Sequence, residues 1–182
     1  MIELGNARQG GMITRGYFTW AVYDGRPRKS TTHKFGQLLR TGGFPNGMTT
    51  EGLTSDISVA VCGGTQVPTW YMGLVDDAGW SAFALGDTMG SHAGWDENQA
   101  YNEGTRPAMT FAAAAGGIAA TSAPCSFTIN DTIALKGAFM TSINTKGETT
   151  GILRATGPFG NVQNLVAGQL FTSNYNTQNS AS

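Results

Sequence analysis

Charge is scarce in this sequence. Only 13% of its 182 residues are Asp, Glu, Lys or Arg, about half the share usual in a globular domain. A surface so short of charge has room for contacts with other chains. Cysteine is scarce too. Cys62 and Cys125 stand alone, without the paired spacing of a zinc ligand set or a redox motif, and are read as buried free thiols. No apolar run approaches the roughly 18 residues that cross a bilayer, so no membrane partner is expected. The opening stretch, MIELGNARQGG, has neither a basic-then-apolar leader nor a small-residue cleavage site. No signal peptide is therefore expected, and assembly in a reducing cytoplasm is expected.

Motifs of turnover chemistry are also missing. The sequence contains no GxSxG, HExxH, CxxC or GxGxxG and no phosphate-cradling glycine loop with GK[ST]. His92, with Asp96 and Glu97 nearby, is the one local set able to hold a metal or shuttle a proton. A histidine and an acid four residues apart meet only on a helix, and Gly94 disfavours one there. His92 is therefore assigned a hydrogen bond that orders its loop. Asp76 and Asp77, with Asp87 further on, lack the spacing of a calcium loop and are read as turn formers. Catalysis, a metal and a cofactor are not expected, and the chain is not read as an enzyme.

Glycine is abundant, with 26 residues, and it falls between short apolar runs with no long helical periodicity. The stretch from Gly52 to Asp77 reads as the organising hairpin. Ile57, Val59 and Val61 alternate with Asp56, Ser58 and Ala60 as in a strand. Gly63, Gly64 and Pro68 then interrupt, and Thr69 to Val75 resumes with apolar matter on both faces. Further strands are expected in Met12 to Tyr23, in Ser126 to Met140 and in Val162 to Thr172, with a helical turn at Gly36 to Arg40. Residues 78–107 read as a long ordered loop pinned by Trp80, Trp95 and Tyr101. Eight or nine short strands with regular turns predict an all-β fold, a jelly-roll or immunoglobulin-like β-sandwich. The expected division is an extended basic N-terminal arm with short strands (1–46), the sandwich (47–172) and an extended polar tail (173–182).

The balance of charge is uneven along the chain. Residues 1–50 carry seven bases against two acids, a balance of +5, and the remainder carries four bases against ten acids, a balance of −6. A basic first quarter on an acidic body suggests docking on something acidic, such as a neighbouring copy. Arg8, Arg15, Arg26, Arg28 and Lys29 are the candidate contacts. His33, among them, is read as solvated or facing a partner. Their dispersal, without a reading motif, argues against direct nucleic-acid binding. Trp80 and Trp95 are candidate contacts from the long loop, and a row of such rings would suit a carbohydrate-binding module.

Several stretches taken together resemble a group of tailed-bacteriophage virion proteins. They are TEGLTSDISVAVCGGTQVPTWYMGLVD, GDTMGSHAGWDE, EGTRPAMTF and FTINDTIALKGAFMTS with KGETTG, spanning roughly residues 47–155. The resemblance implies a capsid cement (decoration) protein or a small tail-associated protein, built on a sandwich and without catalysis. In the first case the expected partners are the major capsid protein and other copies of the chain, as trimers or dimers, on the capsid exterior. A tail or head-fibre component is the alternative.

Overall fold

The computed structural model describes residues 12–26 and 36–181. In chain order the elements are β1 (Met12–Tyr23), β2 (Leu38–Met48), α1 (Thr50–Val61), β3 (Trp70–Asp76), β4 (Glu97–Asn98), β5 (Ala108–Met109), β6 (Ile118–Ala120), β7 (Cys125–Thr128), β8 (Ile133–Thr141), β9 (Leu153–Leu165) and β10 (Leu170–Ala181). The fold is all-β, with one helix among the described residues. Its sheet runs β4-β3-β8-β9-β2-β1-β10-β6, with β5 on β3 and β7 on β10, and curls into an open half-barrel.

All the pairings are antiparallel. Among the described residues, the strand pairing that joins the two halves of the sheet is that of Gly47 and Met48 of β2 with Thr156 and Ala155 of β9. Beyond that point β2 and β9 part, and the Arg40 side chain bridges them by donating to Gln163 Oε1 at 3.1 Å and to the Asn164 carbonyl. At the opposite side the connection from β5 to β6 folds back on itself. There Phe111 bridges Thr121, and the Ala112 amide donates to the Ala120 carbonyl at 2.9 Å.

The curl wraps one main core. Phe18, Phe44, Phe171 and Tyr175 come from one half of the sheet, and Met72, Leu74, Met140 and Phe159 from the other. Phe44 stacks on Phe18 at 5.0 Å and meets Phe159 edge-on at 4.8 Å. The opposite face of β3 and β8 carries Val75 and Phe139, which with Met89, Trp95 and Leu153 form a second core beneath the 80–95 segment. Strand β3 is thus apolar on both faces because it lies between two cores, as its sequence pattern requires.

Several sequence expectations are corrected. The run Ile57, Val59, Val61 is helix, not strand. Gly36 to Arg40 leads into β2 rather than making a helical turn. The described part of residues 1–46 supplies β1 and β2, with β1 held between β2 and β10. Residues 173–181 continue β10, which pairs with β1 as far as Ala181 opposite Met12.

Candidate interaction surface

Helix α1 is held to β9 at close range. Its N-cap Thr49 accepts the Gly52 amide at 3.0 Å and donates to the Leu153 carbonyl, which satisfies one of the free amides of the first turn. Glu51 accepts the Leu153 amide at 2.8 Å, and the Thr49 amide donates to the Arg154 carbonyl at 3.1 Å. Gly52 is required at the contact, since a Cβ there would lie 2.3 Å from the Arg154 carbonyl oxygen. The helix ends at Cys62, and Gly63 follows with φ of 70°, the left-handed conformation that stops helices.

Asp56, one turn beyond Gly52, completes the attachment. It accepts from Arg154 Nε at 3.1 Å and from Nη2 at 2.8 Å. Arg154 also donates from Nη1 to the Tyr175 hydroxyl at 3.3 Å and stands 5.6 Å from the Trp70 ring. Burial of the guanidinium opposes its charge, but Tyr175 and Asp56 together hold its pKa above the ordinary value. Arg154 also lines a cleft of about 500 Å³ with Pro68, Trp70, Met109, Phe111 and Thr177. Thr177 Oγ1 is buried with no protein partner, as is Asn46 Oδ1. Both residues lie opposite Gly16, on the strands either side of it. Polar atoms so placed suit bridging water.

The outward side of α1 reverses the usual amphipathic pattern. Its inward side carries Gly52 and the Asp56 carboxylate, and Gly52 is its one buried residue. Leu53, Ile57 and Val61 are 42%, 58% and 79% exposed, and their spacing of four puts them in one stripe along the helix. An amphipathic surface helix ordinarily turns such a stripe to its own core. Here Gly52, Asp56 and the half-buried Val59 lie on the inner side, and the apolar Leu53, Ile57 and Val61 face solvent.

The expected contacts are distributed differently. Arg8, Arg28, Lys29 and His33 lie outside the described residues. Arg15 sits in β1 opposite Gln178. Arg26 is exposed, its amide donating to Asp24 Oδ1 at 3.2 Å. Trp80 is half-buried, edge-on to Phe83 at 4.6 Å, with Lys136 Nζ 5.9 Å from its ring. Trp95 is a correction. It is 2% exposed, and its indole N–H donates to Asp87 Oδ2 at 2.9 Å. Trp80 and Trp95 therefore form no exposed row for stacking on sugars.

The long loop is ordered as expected, with a device that sequence reading missed. His92 stacks on Trp95 at 4.0 Å, and its Nδ1 is 2.9 Å from the Trp95 carbonyl, the loop-ordering role assigned to it. Glu97 takes two hydrogen bonds of 2.8 Å from Arg106, which is 1% exposed and also donates to the carbonyls of Ile143 and Glu148. Lys146 caps the same region, donating to the Tyr101 carbonyl at 2.9 Å and lying 4.0 Å over its ring. Burial first, and then Glu97, raise the Tyr101 pKa well above the usual phenol value. Among the described residues, no three His, Cys, Asp or Glu side chains come together as a metal site, and no helix is long and apolar enough to cross a membrane.

The apolar stripe of α1 was missed because five alternating residues imitate a strand. Thr49 as a cap, Gly63 as a stop and the Leu53/Ile57/Val61 spacing were the signals that identify the helix. No protein-family model matches this chain, and no curated protein is significantly similar to it.

Proposed function

We propose that this chain is a structural protein of a bacteriophage virion, a capsid cement protein that joins subunits on the outside of the head. The observation that carries the reading is the outward apolar face of α1. The face is fixed in place by ion pairing and capping on the inner side, in a chain with little charge elsewhere. Such a face gains by contact, and repetition on a lattice turns a modest contact into a strong attachment. The resemblance of residues 47–155 to tailed-phage virion proteins supports the same role. The two halves of the curled sheet enclose one core, which supports the β-sandwich layering of that group, of the jelly-roll or immunoglobulin-like kind.

In this reading the chain makes two kinds of contact. One is with other copies, as dimers or trimers. The other is with the major capsid protein, through the basic first quarter (Arg8, Arg15, Arg26, Arg28, Lys29) lying across an acidic seam. The work is mechanical: added contact area between capsid subunits opposes the pressure of packaged DNA.

Virions assembled without the chain test the reading. They are expected to lose their genomes at lower temperature, and the chain is expected in proportion to the capsid subunits on intact particles. Equal thermal resistance with and without it would defeat the proposal. A small fixed copy number at a vertex or on the tail would assign it instead to a fibre or the tail.

A further inference from the structure

We infer that the cleft of about 500 Å³ beside Arg154 is a binding site for a small neutral carboxamide, an amide group carried on an apolar or aromatic body. The site does not depend on the reading of the chain as a capsid protein and adds a ligand to it.

The walls select the body of the ligand. Both halves of the sheet contribute to them: Trp70 and Met109 are paired neighbours on β3 and β5, and Ala119 and Thr177 are paired neighbours on β6 and β10. Phe111 and Met140 add a ring and a second thioether. Such walls favour apolar matter, and the volume falls within the range of small-molecule sites, about 300–1,000 Å³.

The polar groups decide what else the ligand carries. A guanidinium has five N–H donors. In Arg154 two go to Asp56, one goes to the Tyr175 hydroxyl at 3.3 Å, and one reaches only the Met140 sulfur at 3.7 Å, a weak acceptor. The second hydrogen of Nη2 has no acceptor among the described residues. Thr177 Oγ1 is likewise buried without a partner among them. A carboxamide answers both groups. Its carbonyl accepts from Arg154 and its N–H donates to Thr177.

Charge narrows the class further. Arg154 is the one charged residue of the lining among the described residues, and Asp56 already balances it. A ligand carboxylate would be buried opposite the Asp56 carboxylate on the same guanidinium, and a ligand cation would be buried beside Arg154. Each would lack a counter-charge of its own. A neutral ligand meets neither cost.

Three probes of nearly one shape separate these effects: benzamide, benzoate and benzamidinium. With the full chain, saturation-transfer NMR and thermal shift are expected to show benzamide bound with a Kd of about 1 mM, the order reached by so small a ligand. The two charged probes are expected to bind at least about tenfold more weakly. Because Arg154 also anchors α1, the variants leave it in place. Thr177→Val keeps the shape of the side chain without its hydroxyl and is expected to weaken benzamide about fivefold. Ala119→Leu fills part of the cleft and is expected to abolish binding. Without probe, both variants are expected to keep the native circular dichroism.

Either charged probe binding as tightly as benzamide would overturn the assignment of a neutral ligand. Benzamide binding unaltered by Thr177→Val and Ala119→Leu would place it elsewhere on the chain. No saturable binding of benzamide at several times the expected Kd would overturn the site itself. Should Ala119→Leu fail to fold, the Trp70 indole N–H resonance locates the ligand in the native chain, and a signal unmoved on titration excludes the cleft. None of these outcomes bears on the capsid reading, which virions assembled without the chain decide.

Discussion

The Asp56 carboxylate on α1 receives two hydrogen bonds from Arg154, 98 residues further along the chain, the shorter at 2.8 Å. This pair fixes the angle at which the helix presents its apolar stripe. Arg154 is 90% buried at its side chain and Asp56 is 37% exposed, so the two ends of the pair are not equivalent. Truncating the acid strands a buried guanidinium, yet water can reach part of the gap.

Asp56→Ala is therefore expected to cost about 2 kcal/mol, below the 3–5 kcal/mol of a fully buried pair. Urea denaturation checks it. A double variant, Asp56→Ala with Arg154→Met, is expected to recover part of the loss, because no charge is then left buried without a partner. A double variant no more stable than Asp56→Ala alone would show that the guanidinium is held mainly by Tyr175 and Trp70.

Gly52→Ala sets helix propensity against backbone approach. Alanine gains about 1 kcal/mol over glycine in a helix interior. The new Cβ would sit 2.3 Å from the Arg154 carbonyl oxygen and 2.7 Å from its Cα, neither of which is a flexible side-chain end. The clash decides the sign. The variant is expected to be less stable than the parent, with faster amide exchange in α1 and unchanged exchange in β3 and β8.

The sequence makes the core legible but not the helix. Strand β3 was readable because its two-faced apolar pattern has one solution, a strand between two cores. Residues 57–61 were not, because β-branched side chains in alternation satisfy a strand template. What makes them helical is tertiary: Thr49, Glu51, Gly52 and Asp56 each meet Leu153 or Arg154, a hundred positions away. The same distance hid the placing of β1. Met12 to Tyr23 reads as strand, but its place between β2 and β10 depends on residues 170–181, whose polar, uncharged composition reads as an extended tail. Trp95 was legible as a pin for the long loop. Its burial was not, because the covering side chains Asp87 and His92 are ordered only by the loop they order.

Arg106 is the second buried cation whose loss should be severe. It is 1% exposed, its partner Glu97 is 8% exposed at the side chain, and its remaining donors hold two loop carbonyls. Arg106→Ala is expected to cost about 3–5 kcal/mol. Arg106→Lys is expected to restore little, since an ammonium cannot hold both carboxylate oxygens and both carbonyls from one planar fork. Because this pair orders the 97–106 segment over β8, Trp95 fluorescence is expected to shift to longer wavelength in both variants. A lysine variant with native fluorescence and native stability would contradict the fork argument.

The two thiols should behave oppositely. Cys62 is exposed, whereas Cys125 is buried and its pKa is pushed up by burial to about 12. Reagent attacks the thiolate, so at pH 8 the native chain is expected to take up one equivalent of iodoacetamide at Cys62, and a second only in denaturant. Stability carries the same signature. Between the ordinary thiol pKa and about 12, the unfolded chain has released the Cys125 proton and the native chain has kept it. The unfolded state binds fewer protons over that window, so stability falls as pH rises, by about 1.4 kcal/mol per pH unit for this one group. Tyr101, raised in the same direction, adds to the fall at the upper end. Cys125→Ala is expected to lower stability at pH 7 through the lost sulfur contacts and to make the alkaline decline shallower by one proton. An unchanged slope in that variant would mean that the thiol ionises in the native chain as readily as in the unfolded one.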